Sequence, residues 1–268
     1  MKQFPFKQIK IFVATALIVL GSGCEPAADQ FTINGTIKGA AGDYIKIMDM
    51  SSPGFPVDSV LIELNNGFSY SQQASQPKDL ILYIKQPDYI RLVAGVNEVI
   101  AIQSDKAALL ENLQLSGSEE SMLVKELLQK HMHSVRVIDT LEKYYLKNQM
   151  QPNIDELASR LTYIADSIYR SEKNHLVNFI ESNPGSIAAY IALSFKLGPN
   201  RNLFTLQNDL QLFEMVDTAL QNRYDTIAIT KMLNSYVLRG KMQQQRQNKV
   251  YEGSLIGQKA PDIDLPNV

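Results

Sequence analysis

Between Phe31 and about Leu115 apolar residues recur at every second position. Phe31 and Ile33 alternate with Thr32 and Asn34 until Gly35 breaks the run, and Ile45 and Ile47 alternate with Lys46 and Met48. This period of two marks strands with one buried face. The run Val57–Leu64 is followed by Asn65-Asn66-Gly67 and then Phe68-Ser69-Tyr70. Asn-Gly supplies the positive φ angles of a tight turn, so a hairpin is expected there. Further strands are expected over Leu80–Ile84, Tyr89–Val93, Val96–Ile102 and Leu113–Leu115. Closely spaced strands of this kind predict an antiparallel sandwich or barrel over residues 31–116.

After Gly117 the period becomes helical. Ser118 is placed to cap a helix with Glu119 and Glu120 in its first turn, and Val124, Leu127, Leu128, Val135 and Ile138 share one face. A second helix is expected from Asn153, with Glu156 completing a capping box and a stripe running from Ile154, Leu157 and Leu161 through Ile164 and Ile168 to Leu176 and Ile180. Pro184-Gly185 ends it, and Ser186 caps a shorter helix from Ile187 to Leu197. Two more are expected near 205–221 and 225–250, the last with Ile229, Met232, Leu233, Tyr236 and Val237 on one face. The predicted class is therefore α+β, with an antiparallel β-domain over 31–116 followed by a helical segment over 117–253.

The N-terminus carries a different signal. Lys2, Lys7 and Lys10 precede an apolar run from Ile11 to Leu20, then Gly21-Ser22-Gly23-Cys24. A charged start, a short apolar run and small residues describe an export signal over 1–23. The run falls short of the about 20 apolar residues a membrane-spanning helix needs. A cysteine directly after Gly-Ser-Gly resembles a bacterial lipobox, although the third position before Cys24 is Gly21 where that motif usually has Leu. The resemblance implies that Cys24 carries a lipid and opens the mature chain, with 24–30 as a tether. At about 0.8 kcal/mol per buried methylene, acyl chains on Cys24 would hold the protein at a membrane.

Composition narrows the remaining classes. A hydrophobic content of 45% with 20% charged residues belongs to a folded globular chain. A net charge of −2 gives no electrostatic case for nucleic acid. Cys24 is the single cysteine, so these residues alone can neither exchange a disulfide nor build a cysteine metal site.

Residues 256–268 read Ile-Gly-Gln-Lys-Ala-Pro-Asp-Ile-Asp-Leu-Pro-Asn-Val. The Gly, the Ala260-Pro261 pair and the alternating run to Leu265-Pro266 resemble the opening of thioredoxin-like domains of the alkyl hydroperoxide reductase/thiol-specific antioxidant superfamily. Upstream, Val57-Asp58-Ser59 before a strand, Gly67-Phe68 in a turn, Leu115-Ser116-Gly117-Ser118 before a helix and Asn183-Pro184-Gly185-Ser186 between helices occur in order. This order resembles the β-domain and helical connector that precede such a domain in Bacteroidota envelope lipoproteins. The resemblance covers about residues 31–268. It implies that 254–268 begins a truncated thioredoxin-like domain and that the parent activity is thiol–disulfide exchange, with an envelope protein as substrate. The redox Cys-x-x-Cys of that superfamily has no matching position here, so no catalytic residue, cofactor or metal ligand transfers.

Other candidate chemistry reads as structural. His131 and His133 are two apart on a predicted helix and so face opposite ways, His131 toward the apolar face and His133 toward solvent. His175, beside Leu176 and Phe179, is expected to pack. Asp58-Ser59 has no histidine in the strand domain to act as base, and Gly39-Ala40-Ala41-Gly42 lacks the lysine of a phosphate loop and reads as a hairpin loop. Lys231, Arg239, Lys241, Arg246 and Lys249 fall in a stretch with no acid between Asp225 and Glu252 and read as a solvated helix face rather than a patch for anionic lipid or an acidic partner. A second reading of the whole chain is a lipid-anchored module that binds a glycan or a protein, although the absence of Trp weakens the glycan case.

Overall fold

The computed structural model describes residues 29–253, apart from Pro53, Pro199 and Asn200. The expected export signal, Cys24, most of the tether and the thioredoxin-like start at 254–268 lie outside the described residues. The α+β class is as expected: eight strands precede five helices.

The strands are β1 (Gln30–Lys38), β2 (Tyr44–Asp49), β3 (Val57–Leu61), β4 (Gly67–Gln73), β5 (Lys78–Tyr83), β6 (Ile90–Ala94), β7 (Val99–Asp105) and β8 (Gln114–Ser116). They form two four-stranded sheets, ordered β4-β1-β7-β8 and β3-β2-β5-β6, and neither closes into a barrel. Alternation puts Phe31, Ile33, Ile37, Ile100 and Ile102 of one sheet in the same core as Ile45, Ile47, Leu80, Leu82 and Leu92 of the other. Each such side chain contributes about 1.5–3 kcal/mol by leaving water.

Topology departs from expectation in three places. Asn65-Asn66-Gly67 is a tight turn, with Asn66 at φ 67° and Glu63 N donating to Gly67 O. It does not close a hairpin, because β3 pairs with β2 while β4 pairs with β1 in the other sheet. The Gly39–Gly42 loop likewise carries the chain from one sheet to the other, and Ala40 N and Ala41 N both donate to the Asn66 side chain. The two sheet-changing turns are thus tied together. Third, β1 and β7 pair in parallel, the one exception to antiparallel order among the strand pairs of the described residues. Gly35 does not end β1 either. It faces Phe68 across the ladder, whose ring would lie 2.0 Å from a Cβ there, so only glycine lets that ring cross the strand.

Helix α1 (Glu119–Asn148) buries Val124, Leu127 and Leu128 against the sheets. Ser118 caps it by accepting from Ser121 N. The same two serines close the free edge of β6: Ser118 Oγ and Ser121 Oγ donate to Val93 O at 3.0 and 2.8 Å, and Val93 N donates to Ser121 Oγ at 2.9 Å. Between them Glu120 reaches the other way. Its carboxylate accepts from Ser186 Oγ at 2.5 Å and Ile187 N at 3.1 Å, at the start of α3 (Ile187–Leu193), and from Arg223 at 2.9 Å, at the end of α4 (Leu206–Arg223). The negative charge therefore meets the positive end of a helix.

Helix α2 (Ile154–Ser182) runs back along α1, but Asn153 makes no side-chain cap bond, so the expected capping box is not formed. Its N-terminal stripe is only half covered and Ile164 is exposed, because its first turns pair with the solvated end of α1 rather than with the core. Helix α3 stops at Leu193, short of the expected Leu197, and α5 (Ala228–Gly253) follows α4.

Gly117 has φ +88°, and a Cβ there would stand 2.0 Å from Val99 O, whereas Gly198 at φ +90° has open space around it. Gly117→Ala should therefore cost more than about 3 kcal/mol in urea unfolding and Gly198→Ala only about 1 kcal/mol. In the same assay Glu120→Ala should cost about 3 kcal/mol, since it strips a buried helix start of its acceptor. Arg223→Ala, whose side chain is 52% exposed, should cost under about 1 kcal/mol.

Candidate functional site

Helix α5 presents two faces where one stripe was expected. Ile229, Leu233 and Val237 are buried, but Met232 is 62% and Tyr236 45% exposed. The two exposed residues are four apart, so they stack on one side of α5 beside Ser235 and Arg239. That side forms one wall of an open groove of about 670 Å³. Tyr190 and Leu193 of α3, with Ser194, Phe195, Lys196, Asn202 and Phe204, form the facing wall, and Phe213 of α4 completes the floor.

The facing wall is built as a short loop closed on itself. Leu203 N donates to Phe195 O, Leu197 N donates to Arg201 O, and Lys196 and Asn202 form an isolated antiparallel bridge. Tyr169 of α2 ties the loop down from outside, donating from its hydroxyl to Asn202 O at 3.0 Å while Arg201 lies over its ring. From beneath, Phe195 stacks on the His131 imidazole with ring centres 4.0 Å apart.

His131 is itself fixed. Its Nδ1 lies 2.8 Å from Glu172 Oε1, and Ser134 Oγ donates to Glu172 Oε2 at 2.7 Å. An ionised carboxylate only accepts, so Nδ1 carries the proton. Burial raises the Glu172 pKa, and the bonds from His131 and Ser134 more than reverse it, holding the carboxyl below its usual value. Nearby, burial and Lys130 pull His175 down despite Glu172 and Glu126. His131 thus lies on the apolar side of α1 and His133 on the exposed side, as their spacing requires. What sequence did not reveal is that His131 joins α1, α2 and the groove loop.

Charge in the groove is of one sign. Lys196, Lys231 and Arg239 line it together with no acidic side chain. None of the three makes an ion pair among the described residues. Lys241, by contrast, pairs with Glu214. Lys231, Arg239, Lys241 and Arg246 are all exposed, as a solvated face requires, while the Lys249 side chain lies outside the described residues; two of these cations, Lys231 and Arg239, also line the groove. The lining also holds no histidine or cysteine, and both its serines donate to their own helical turns, Ser194 to Ile191 O and Ser235 to Lys231 O. The lining places no histidine or carboxylate beside these hydroxyls.

One residue of the groove, Tyr190, also stands near the β-domain. Tyr190 lies close enough to Arg91 and Asp79 to feel both charges, and burial pushes its phenol above the ordinary value. Asp79 accepts from Arg91 Nε at 2.8 Å and Nη2 at 2.6 Å, a two-pronged pair on strands β5 and β6. Asp58 accepts from Ser59 N within β3. No group of three or more potential metal ligands occurs among the described residues, and Cys24 lies outside them. No protein family, curated protein or solved structure matches the chain.

The buried Glu172 gives a pH signature. A carboxyl held below its unfolded value stabilises the fold above that value and loses the effect as pH falls through the folded pKa. Glu172→Gln should therefore be less stable than the wild-type chain at pH 7, by about 3 kcal/mol. The gap should narrow steadily below pH 4.5, the ordinary value of the group. Urea unfolding of both proteins from pH 7 to pH 3 measures it.

Proposed function

We propose that this chain is the non-catalytic N-terminal portion of a lipid-anchored envelope protein of the thioredoxin-like thiol–disulfide oxidoreductase family, and that it recruits or positions a protein substrate. The observation that carries the reading is the groove itself: an open, aromatic, cationic surface whose lining holds no acid–base pair and no activated nucleophile. Such a surface binds rather than transforms.

Several features support the family assignment. Two sheets of short strands pass through Gly117-Ser118 into α1, and the Asn183-Pro184-Gly185-Ser186 turn joins α2 to α3 in the order that the resembled lipoproteins follow. Residues 256–268 carry the thioredoxin-like opening directly after α5. The redox chemistry belongs to a two-cysteine domain of the parent protein. Attachment to the envelope is assigned to acylated Cys24, and no described helix is long and apolar enough to cross a membrane.

The second reading, a stand-alone module for a glycan or protein, draws on exposed Tyr236 in the groove and exposed Tyr44 on the β3-β2-β5-β6 sheet. Intact mass of the native protein extracted from the envelope separates the two. The proposed reading expects a species heavier than residues 24–268 by a domain, on the order of 100 residues, with acyl chains on Cys24. A mass equal to 24–268 plus acyl chains overturns the oxidoreductase assignment in favour of the stand-alone module. Cys24→Ser should move the protein from the detergent phase to the aqueous phase, and unchanged partitioning would overturn the anchor.

A further inference from the structure

We infer that the groove between α5 and the wall of residues 194–196 and 202–204 binds an acidic polypeptide segment of a partner protein, seating one aromatic or aliphatic side chain between flanking carboxylates. The inference rests on the recruiting role above and names the chemistry of what is recruited.

Charge selects the ligand first. The chain as a whole is slightly negative, at −2, yet Lys196, Lys231 and Arg239 face one groove with no acid in its lining. A local positive field on a negative protein draws acidic segments and repels basic ones. Lys231 and Arg239 are eight apart on α5, about 12 Å along the axis at 1.5 Å per residue. Lys196 stands on the opposite wall. Carboxylates on both sides of a central anchor can meet cations set out in this way.

The floor supplies the anchor site. Phe195, Phe204 and Phe213 are nearly covered and back the floor, and the open aromatic surface is that of Tyr236, which packs on Phe213 with ring centres 5.7 Å apart. Met232 adds a side chain that adapts its shape to what it meets. Exposed aromatic and Met surface ringed by polar groups is the make-up of a protein-binding centre. Ser194 and Ser235 donate to their own backbone, which leaves their lone pairs to accept from a peptide N–H.

The shape decides between anionic partners. The groove is open rather than enclosed. An acyl chain needs enclosure along its length to leave water, whereas a peptide needs only one side chain buried. A nucleic acid would require cations repeated along a track of phosphates, and here three of them surround an apolar floor.

The test uses the full chain in detergent micelles and a short fluorescein-labelled peptide with one Phe between Asp-Glu flanks, read by anisotropy. The expected result is saturable binding that weakens by about tenfold or more when Lys-Lys flanks replace the acids and weakens steeply with added salt. Phe→Ser in the peptide should cost a further factor of about ten. Lys231→Glu with Arg239→Glu should lose binding by about tenfold or more. Both side chains are exposed, so the thermal midpoint should stay in place, and Met232→Asp tests the floor independently.

Equal affinity for acidic and basic peptides, or unchanged binding by the double variant, overturns the inference. So does displacement of the peptide by phosphatidylglycerol vesicles with no dependence on its Phe, which would assign the groove to lipid. Removal of residues 254–268 tightening the peptide about tenfold would assign the groove to that segment instead. These readouts are independent of native mass. Absent peptide binding beside a native mass that carries the extra domain removes the ligand and leaves the oxidoreductase reading; the reverse pattern removes the parent and keeps the site.

Discussion

Val93 lies on a sheet edge, and its two backbone groups are satisfied by the hydroxyls of Ser118 and Ser121 in the first turn of α1. An unpaired N–H and C=O buried there would cost on the order of 1–3 kcal/mol each. The same turn sends Glu120 outward to hold the start of α3 and the end of α4. One helical turn therefore fixes the sheet edge on one side and two helices on the other. Three turns later the same helix carries His131, on which Phe195 of the groove rests. The groove inherits its position from α1, and through α1 from β6.

Burial treats the two signs of charge differently. Glu120, Asp79 and Glu172 are nearly covered, and each is met by two or more hydrogen bonds. A desolvated carboxylate is tolerable only with that many donors. The groove cations need no such support because water still reaches them. These anions thus serve as internal fasteners while the three groove cations stay available at the surface. The arrangement gives a rigid frame around an open patch, the combination that keeps the entropy lost on binding small.

Local structure was legible in the sequence because local forces set it. The period-two runs located every strand to within a few residues, and Ser118 and Ser186 cap the helices their positions suggested. Partnership was not legible. Asn66 adopts the positive φ expected of an Asn-Gly turn, but φ does not say which strands the turn joins, and here it joins two sheets. The two-faced character of α5 was hidden for a related reason. Met232 and Tyr236 continue the apolar stripe of Leu233 and Val237 in one dimension, and only the loop opposite decides which are covered. The basic stretch beside them was the one available clue to the groove. His131 paired with Glu172 needs α1 and α2 side by side, a contact 41 residues apart in the chain with no local trace.

The parallel pairing of β1 with β7 sets a timetable. One sheet, β3-β2-β5-β6, has all its strands by Ala94. The other cannot be finished until Asp105 has joined β1 at Lys38, across a loop whose closure entropy is among the largest in the β-domain. In a chain emerging N-terminus first, β1 can gain β4 early but keeps its other edge bare while five further strands are made. The β7-β8 hairpin covers that edge, and Ser118 and Ser121 follow within a few residues to seal β6. The open edges of β1 and β6 thus close in one late event, and a chain halted before that point would present a ready template for aggregation.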